Sequence, residues 1–270
     1  MTISFRFFCT FAVYEHYGVE SNSKWYNMKK FLLLYLLSVM GGLKGMAQMS
    51  SFNQGVQNQT VQPYRNPLRD SLAAATEALA YHPDSIDLRL KKSSWNIQLE
   101  QWEYAKDDLD KVLYIDPTNI AGLFYRAFVN DKMMRYNFAR LDYQNLLTLV
   151  PGNFEAQLGL ALLNQKDKHY TEAYDQINML IEANPDSAVA FAARAGMEKE
   201  RNMLETAAYD YQRAYELDTM NIDYLTNLLD LNLLLRRKKE SRECLEALMY
   251  KGVRPSALKE FGIRLKKIKK

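Results

Sequence analysis

Few residues in this 270-residue chain have the types and spacing that covalent or metal chemistry requires. The three histidines, His16, His82 and His169, are far apart, and neither Cys9 nor Cys244 joins them at a metal-ligand spacing. There is no phosphate-cradling glycine loop, no H-E-x-x-H pair and no nucleophile elbow. Adjacent carboxylates such as Asp107–Asp108 read as a solvated helix surface. The chain is therefore read as non-enzymatic, with no catalytic residue, cofactor or metal assigned. Binding is the chemistry that these residue types favour. Phe124, Tyr125 and Phe128 lie within about one helical turn and share a face, as interface anchors do. At the C-terminus, residues 251–270 hold eight basic residues and one acid.

The elements that position these residues are written in a fixed ruler. Pro83, Pro117, Pro151 and Pro185 are each 34 residues from the next. Ala105, Ala139, Ala173 and Ala207 follow the same ruler, as do Trp102, Tyr136 and Tyr170. Three residue classes sharing one period mean a stack of similar supersecondary units, each too small to bury its own apolar face.

The 34-residue unit resembles the tetratricopeptide repeat, a helix–turn–helix. The resemblance covers residues 86–255 as five units: 86–119, 120–153, 154–187, 188–221 and 222–255. It implies an all-α fold, a right-handed superhelical solenoid closed by a C-terminal capping helix over 256–270. In the second unit, helix A is expected over about 121–132 and helix B over about 137–149. The small residue at which the two helices approach falls on Ser93, Ala127, Ala161 and Ala195. The closing proline stops helix B because it lacks an N–H and restrains the residue before it. The fifth unit departs most, with Leu229 at the small position, Ser241 at the alanine position and Thr219 before it in place of proline. Residues 65–85 read as an N-terminal half repeat, a lone helix B.

Two ladders emerge when the units are compared. A basic residue in helix A is matched by Asp sixteen positions later in Lys92–Asp108, Arg126–Asp142 and Arg194–Asp210. Where helix A has Leu160 or Leu228, the Asp is replaced by Gln176 or Cys244. This co-variation predicts ion pairs tying helix A to helix B; the other reading is a charged ligand site. The second ladder is Asn96, Asn130, Asn164 and Asn232, broken by Glu198. Asn is a poor helix former, so a hydrogen bond to neighbouring backbone is expected to compensate it.

In tetratricopeptide proteins helix A lines a concave groove. The resemblance then places Leu90, Phe124, Tyr125, Phe128, Leu158 and Leu162 in the groove, with Ser94, Ala192 and Gly196. The Lys/Asn/Arg carboxylate clamp of the co-chaperone members is absent. An apolar, aromatic groove implies a hydrophobic or amphipathic protein segment as partner. The alternative is that these rings are core between repeats.

The net charge of 251–270 is +7. Ser256 is a candidate N-cap, and Leu258, Phe261, Leu265 and Ile268 follow at helical spacing. This helix either covers the open end of the array or contacts anionic lipid or an acidic partner, with Lys259, Arg264, Lys266 and Lys267 as the anionic contact. Removing the five basic and two acidic residues before position 48 leaves thirty of each sign, a neutral chain and a poor match to nucleic acid.

Residues 28–47 carry Lys29 and Lys30, an apolar run from Phe31 to Met40, and a small-x-small site at Gly45-Met46-Ala47. That is the pattern of a signal peptide cleaved near Ala47, resembling those of Bacteroidetes, and the apolar run is too short for a stable membrane span. Residues 1–27 then read as a mis-called upstream extension; the rival reading is a long n-region or a second apolar element from Phe5 to Val13. Residues 48–64 read as a disordered polar linker without charge. The expectation is a periplasmic or secreted interaction scaffold of the cell envelope. The rival is a membrane-surface protein docked by its basic helix, without a transmembrane span in the mature chain.

Overall fold

The computed structural model describes residues 66–268. The signal-peptide, upstream-extension and linker readings lie outside the described residues. The described residues from Ala75 onward form one compact unit. Twelve helices occur among the described residues. They are α1 (Pro67–Tyr81), α2 (Ile86–Gln98), α3 (Trp102–Ile115), α4 (Ile120–Lys132), α5 (Tyr136–Leu149) and α6 (Phe154–Lys166). The remainder are α7 (Tyr170–Ala183), α8 (Ala188–Glu200), α9 (Leu204–Leu217), α10 (Ile222–Leu234), α11 (Lys238–Tyr250) and α12 (Pro255–Lys267). From α2 onward they pair as A and B helices in five successive repeats, with α12 at the end.

The local chemistry of each boundary recurs with the repeat. Every A helix is capped by Ser85, Asn119, Asn153, Ser187 or Asn221, whose side-chain oxygen accepts a hydrogen bond from a first-turn N–H. That satisfies one of the donors a helix start leaves open, worth about 1 kcal/mol per cap. The B helices have no side-chain cap. Their starts are set by the preceding turn, where Glu100, Met134, Lys168, Asn202 and Arg236 take φ of 57–64°. The N–H that follows each then reaches back to the carbonyl of the Asn96, Asn130, Asn164, Glu198 or Asn232 ladder at 2.8–2.9 Å, a Schellman closure. The B helices stop at Asp116, Val150 and Asn184, each followed by the ruler proline.

Packing explains the small residues. Ala105, Ala139, Ala173 and Ala207 are wholly buried, as are Ser93, Ala127, Ala161 and Ala195. A larger side chain at these crossings would overpack a core of near-crystalline density. The fifth repeat buries Leu229 and Ser241 just as completely. Ser241 donates its hydroxyl to the Arg237 carbonyl at 2.6 Å, so the polar substitute is satisfied within its own helix. Between repeats 2 and 3, Gly159 accommodates the buried Tyr143. A β-carbon there would lie 2.6–2.8 Å from the phenol ring.

Candidate functional site

The predicted groove residues divide into two groups. Phe124, Tyr125, Phe128 and Leu158 are at most 4% exposed, so they are core. Phe124 meets Tyr125 and Tyr143 edge-on at 5.9 and 6.1 Å, and Phe128 meets Trp102 at 6.2 Å. The physical reason is packing by B-helix aromatics: Tyr143 of the same repeat meets Phe124 edge-on, and Trp102 of the preceding repeat meets Phe128. The aromatic groove expected from helical spacing is therefore corrected to a buried aromatic cluster within and between repeats 1 and 2. Leu90 and Leu162 remain half-buried on their A helices, together with Ser94 and Ala192. Gly196 is buried.

The A-helix face is crossed by polar links that sequence reading missed. Lys166 of α6 pairs with the buried Asp131 of α4. Gln165 donates to Glu200 of α8 at 3.3 Å. Lys199 of α8 reaches Asp230 of α10 at 2.7 Å, and Arg264 of α12 binds the same carboxylate at 2.7 Å. Lys199 and Arg264 hold the Asp230 carboxyl below its ordinary pKa, overcoming the burial that pushes it up. The signal was present as Asp131–Lys166 and Gln165–Glu200 at one shared offset of 35 residues. Such links fix neighbouring A helices in register.

Beneath that face, the three ion pairs predicted from co-variation are all formed. Arg126 grips Asp142 at 2.7 and 3.0 Å, Arg194 grips Asp210 at 2.6 and 2.9 Å, and Lys92 lies 2.9 Å from Asp108. All three acids are buried, so removing one partner strands a desolvated charge, a loss of about 3–5 kcal/mol. Each arginine also reaches sixteen residues backward, Arg126 to Asp110 and Arg194 to Asn178, both at 2.9 Å. The pairs thus clamp consecutive B helices as well as A to B.

Three of the four ladder asparagines bond to side chains rather than to backbone, correcting the sequence expectation, while neither side-chain polar atom of the buried Asn96 makes a hydrogen bond in the protein. Asn130 donates to Asp142 at 3.3 Å, Asn164 to Gln176 at 2.9 Å and Asn232 to the Cys244 sulfur at 3.7 Å. The reason is geometric: twelve residues on, the facing B helix presents an acceptor at each of these positions.

No protein-family model matches the chain. A tetratricopeptide repeat protein from Parabacteroides merdae superposes with a TM-score of 0.63 at 20% identity, covering 74% of this chain and 78% of that one. The chain has the tetratricopeptide-repeat fold. PilW, a widely conserved type IV pilus biogenesis factor, shares that fold at a TM-score of 0.59 and 18% identity, over 68% and 85% of the two chains. In sequence, human sperm-associated antigen 1 is 27% identical over 104 residues. The match takes in 37% of this chain and 11% of that protein, so the chain spans about a tenth of the length of this curated relative.

At the end of the tetratricopeptide array, α12 begins at Pro255, one residue before the predicted cap. Proline at the first helical position replaces the Ser256 cap, because its missing N–H needs no acceptor. Leu258 and Leu265 are buried, whereas Lys259, Lys266 and Lys267 are exposed. Arg264, grouped with those lysines in the sequence reading, is engaged with Asp230 instead. No helix among the described residues is long and apolar enough to cross a membrane, and among them no group of acids, His and Cys could hold a metal ion.

Proposed function

We propose that the array is a non-enzymatic interaction scaffold of the cell envelope, binding an amphipathic protein segment along its A-helix face. The observation that carries this reading is the run of polar links from Asp131–Lys166 to Lys199–Asp230–Arg264. The half-buried Leu162 and Ala192 lie on α6 and α8, two of the helices those links join, so apolar contact area and charge share the same A helices. With the aromatic trio inside the core, the partner is amphipathic rather than purely apolar. The periplasmic or secreted location rests on the sequence pattern at residues 28–47. The test is capture from envelope extracts by the parent and by a Leu162→Glu/Ala192→Glu variant with the parent's melting curve. A protein held by the parent and lost by the variant supports the reading. Equal retention by both removes the site from this face.

The exposed Lys259, Lys266 and Lys267 favour a second reading, electrostatic association of α12 with an anionic surface. Because Leu258 and Leu265 face inward, such contact is by charge alone. It is then abolished by high salt in vesicle flotation.

A further inference from the structure

Two cavities on the B-helix side of the array occupy one slot in two repeats. The first, about 400 Å³, lies between α3 and α5 over α4; the second, about 530 Å³, lies between α9 and α11 over α10. Each of the eight residues lining the first has its counterpart 102 residues later, three repeats on, in the lining of the second. Equivalent backbone positions have therefore been given different side chains.

The polarity of the slot is inverted between the two. In repeat 2 the floor is ionic: Lys106 and Arg126 bind Asp110 at 2.6 and 2.9 Å, and Arg126 spans to Asp142. The rim there is apolar, with Phe138 and Leu141 more than half exposed. In repeat 5 the same four floor positions are Ala208, Gln212, Leu228 and Cys244. Leucine cannot span two B helices as arginine does, and the larger cavity lies where Arg126 has its counterpart in Leu228. Glu240 and Glu243 replace the apolar rim, and both are exposed. Glu243 has Lys239 at 3.9 Å, whereas Glu240 makes no ion pair among the described residues. Glu205 and Arg237 also line the slot and pair with each other, so Glu240 and Glu243 give the lining its net negative charge. Tyr209, 65% exposed, forms part of the wall and offers a ring face to a cation.

We propose that the slot between α9 and α11 binds a partner segment carrying an apolar side chain flanked by lysine or arginine. The apolar side chain enters over Leu228 and Cys244, and the cations lie against Glu240, Glu243 and Tyr209. A cation on the floor itself would be desolvated without an acid to meet it, since Asp142 has become Cys244. The basic residues therefore flank the anchor and stay at the rim. This surface is separate from the A-helix face, so its test succeeds or fails independently of the scaffold reading.

The probe is a fluorescein-labelled Gly-Lys-Leu-Phe-Lys-Gly peptide, titrated against the full chain by anisotropy beside its Gly-Glu-Leu-Phe-Glu-Gly counterpart. The expected result is a Kd below about 1 mM for the lysine peptide and at least about tenfold weaker binding of the glutamate peptide. A Leu228→Arg/Cys244→Asp variant rebuilds the ion pair of repeats 2 and 4 inside the slot. It is expected to fold and to lose the lysine peptide. Glu240→Lys/Glu243→Lys, at exposed positions, gives the same loss even if the filled slot misfolds. No binding of the lysine peptide, equal binding of both peptides, or binding unchanged in the rim variant overturns the proposal. So does a dimer in sedimentation velocity that both variants dissociate, because the occupant is then a second copy of this chain.

Discussion

Glu198 occupies the position that Asn holds in the other four repeats, and the exchange has an electrostatic consequence. An amide can donate to the facing acid, as Asn130 does to Asp142. An ionised Glu cannot, and Glu198 confronts Asp210 while only 6% exposed, with its Oε2 making no hydrogen bond in the protein. Burial first, and then the Asp210 charge, push the Glu198 carboxyl up to about 7. Arg194 pulls the other way, but both of its hydrogen bonds in this pair go to Asp210. Tyr174 and Arg201 belong to the same cluster of interacting charges. A folded pKa above the unfolded value of 4.5 means that the native state holds the proton more tightly. Stability therefore falls as pH rises from about 4.5 to about 7 and is level above that. Glu198→Gln removes the titration and keeps a donor for Asp210. Urea unfolding should show parent and variant alike at pH 4.5, with the variant ahead at pH 8 by on the order of 2–3 kcal/mol. An equal difference at both pH values would mean that the carboxyl does not titrate in this window.

At the scale of the element, the A-to-B turn makes a demand that the side chains do not meet. All five turns place a non-glycine residue at positive φ: Glu100, Met134, Lys168, Asn202 and Arg236. For a residue with a β-carbon this conformation costs roughly 1–2 kcal/mol, less for Asn, whose short side chain tolerates it. It persists because the turn closes a Schellman hydrogen bond and delivers helix B onto helix A. Met134 is 76% exposed, so its side chain contributes little packing. Met134→Gly should relieve the strain at some cost in unfolded-chain entropy, for a net gain of about 0.5–1 kcal/mol. Thermal melts should show a Tm rise of about 2–3 °C, with a smaller rise for Asn202→Gly. A fall in Tm for Met134→Gly would show that the thioether packs after all.

At the scale of the molecule, a repeat array must terminate, since each repeat buries its apolar face against the next. The fifth repeat finds its neighbour in α12. Leu258 and Leu265 are buried, Arg264 neutralises Asp230, and Lys238 donates to the Ile268 carbonyl at 2.8 Å. Burying the two leucines contributes about 4 kcal/mol by area. Deleting residues 255–270 should lower the unfolding free energy by several kcal/mol and expose a dye-binding apolar end. A truncated chain with the parent's melt and no added dye binding would remove the capping role.

Much of the architecture is local in origin and so was readable from the sequence. Period, helix boundaries and closing prolines all depend on residues within one 34-residue unit. The Arg126–Asp142 and Arg194–Asp210 pairs were also legible, because the five units act as internal comparisons and the partners vary together. The facing of the aromatic trio was not legible. Helical spacing puts Phe124, Tyr125 and Phe128 on neighbouring positions, but whether that stripe meets solvent or another repeat depends on Trp102 and Tyr143 in other helices. Likewise the Asn ladder's partners, the links between successive A helices and the inverted slot at Leu228 need positions on three helices at once. By itself, the sequence determined the repeat, its boundaries and its internal ion pairs, because those interactions close within a unit. Only the tertiary structure decided which faces are free to bind, because exposure is set by what the neighbouring repeats cover.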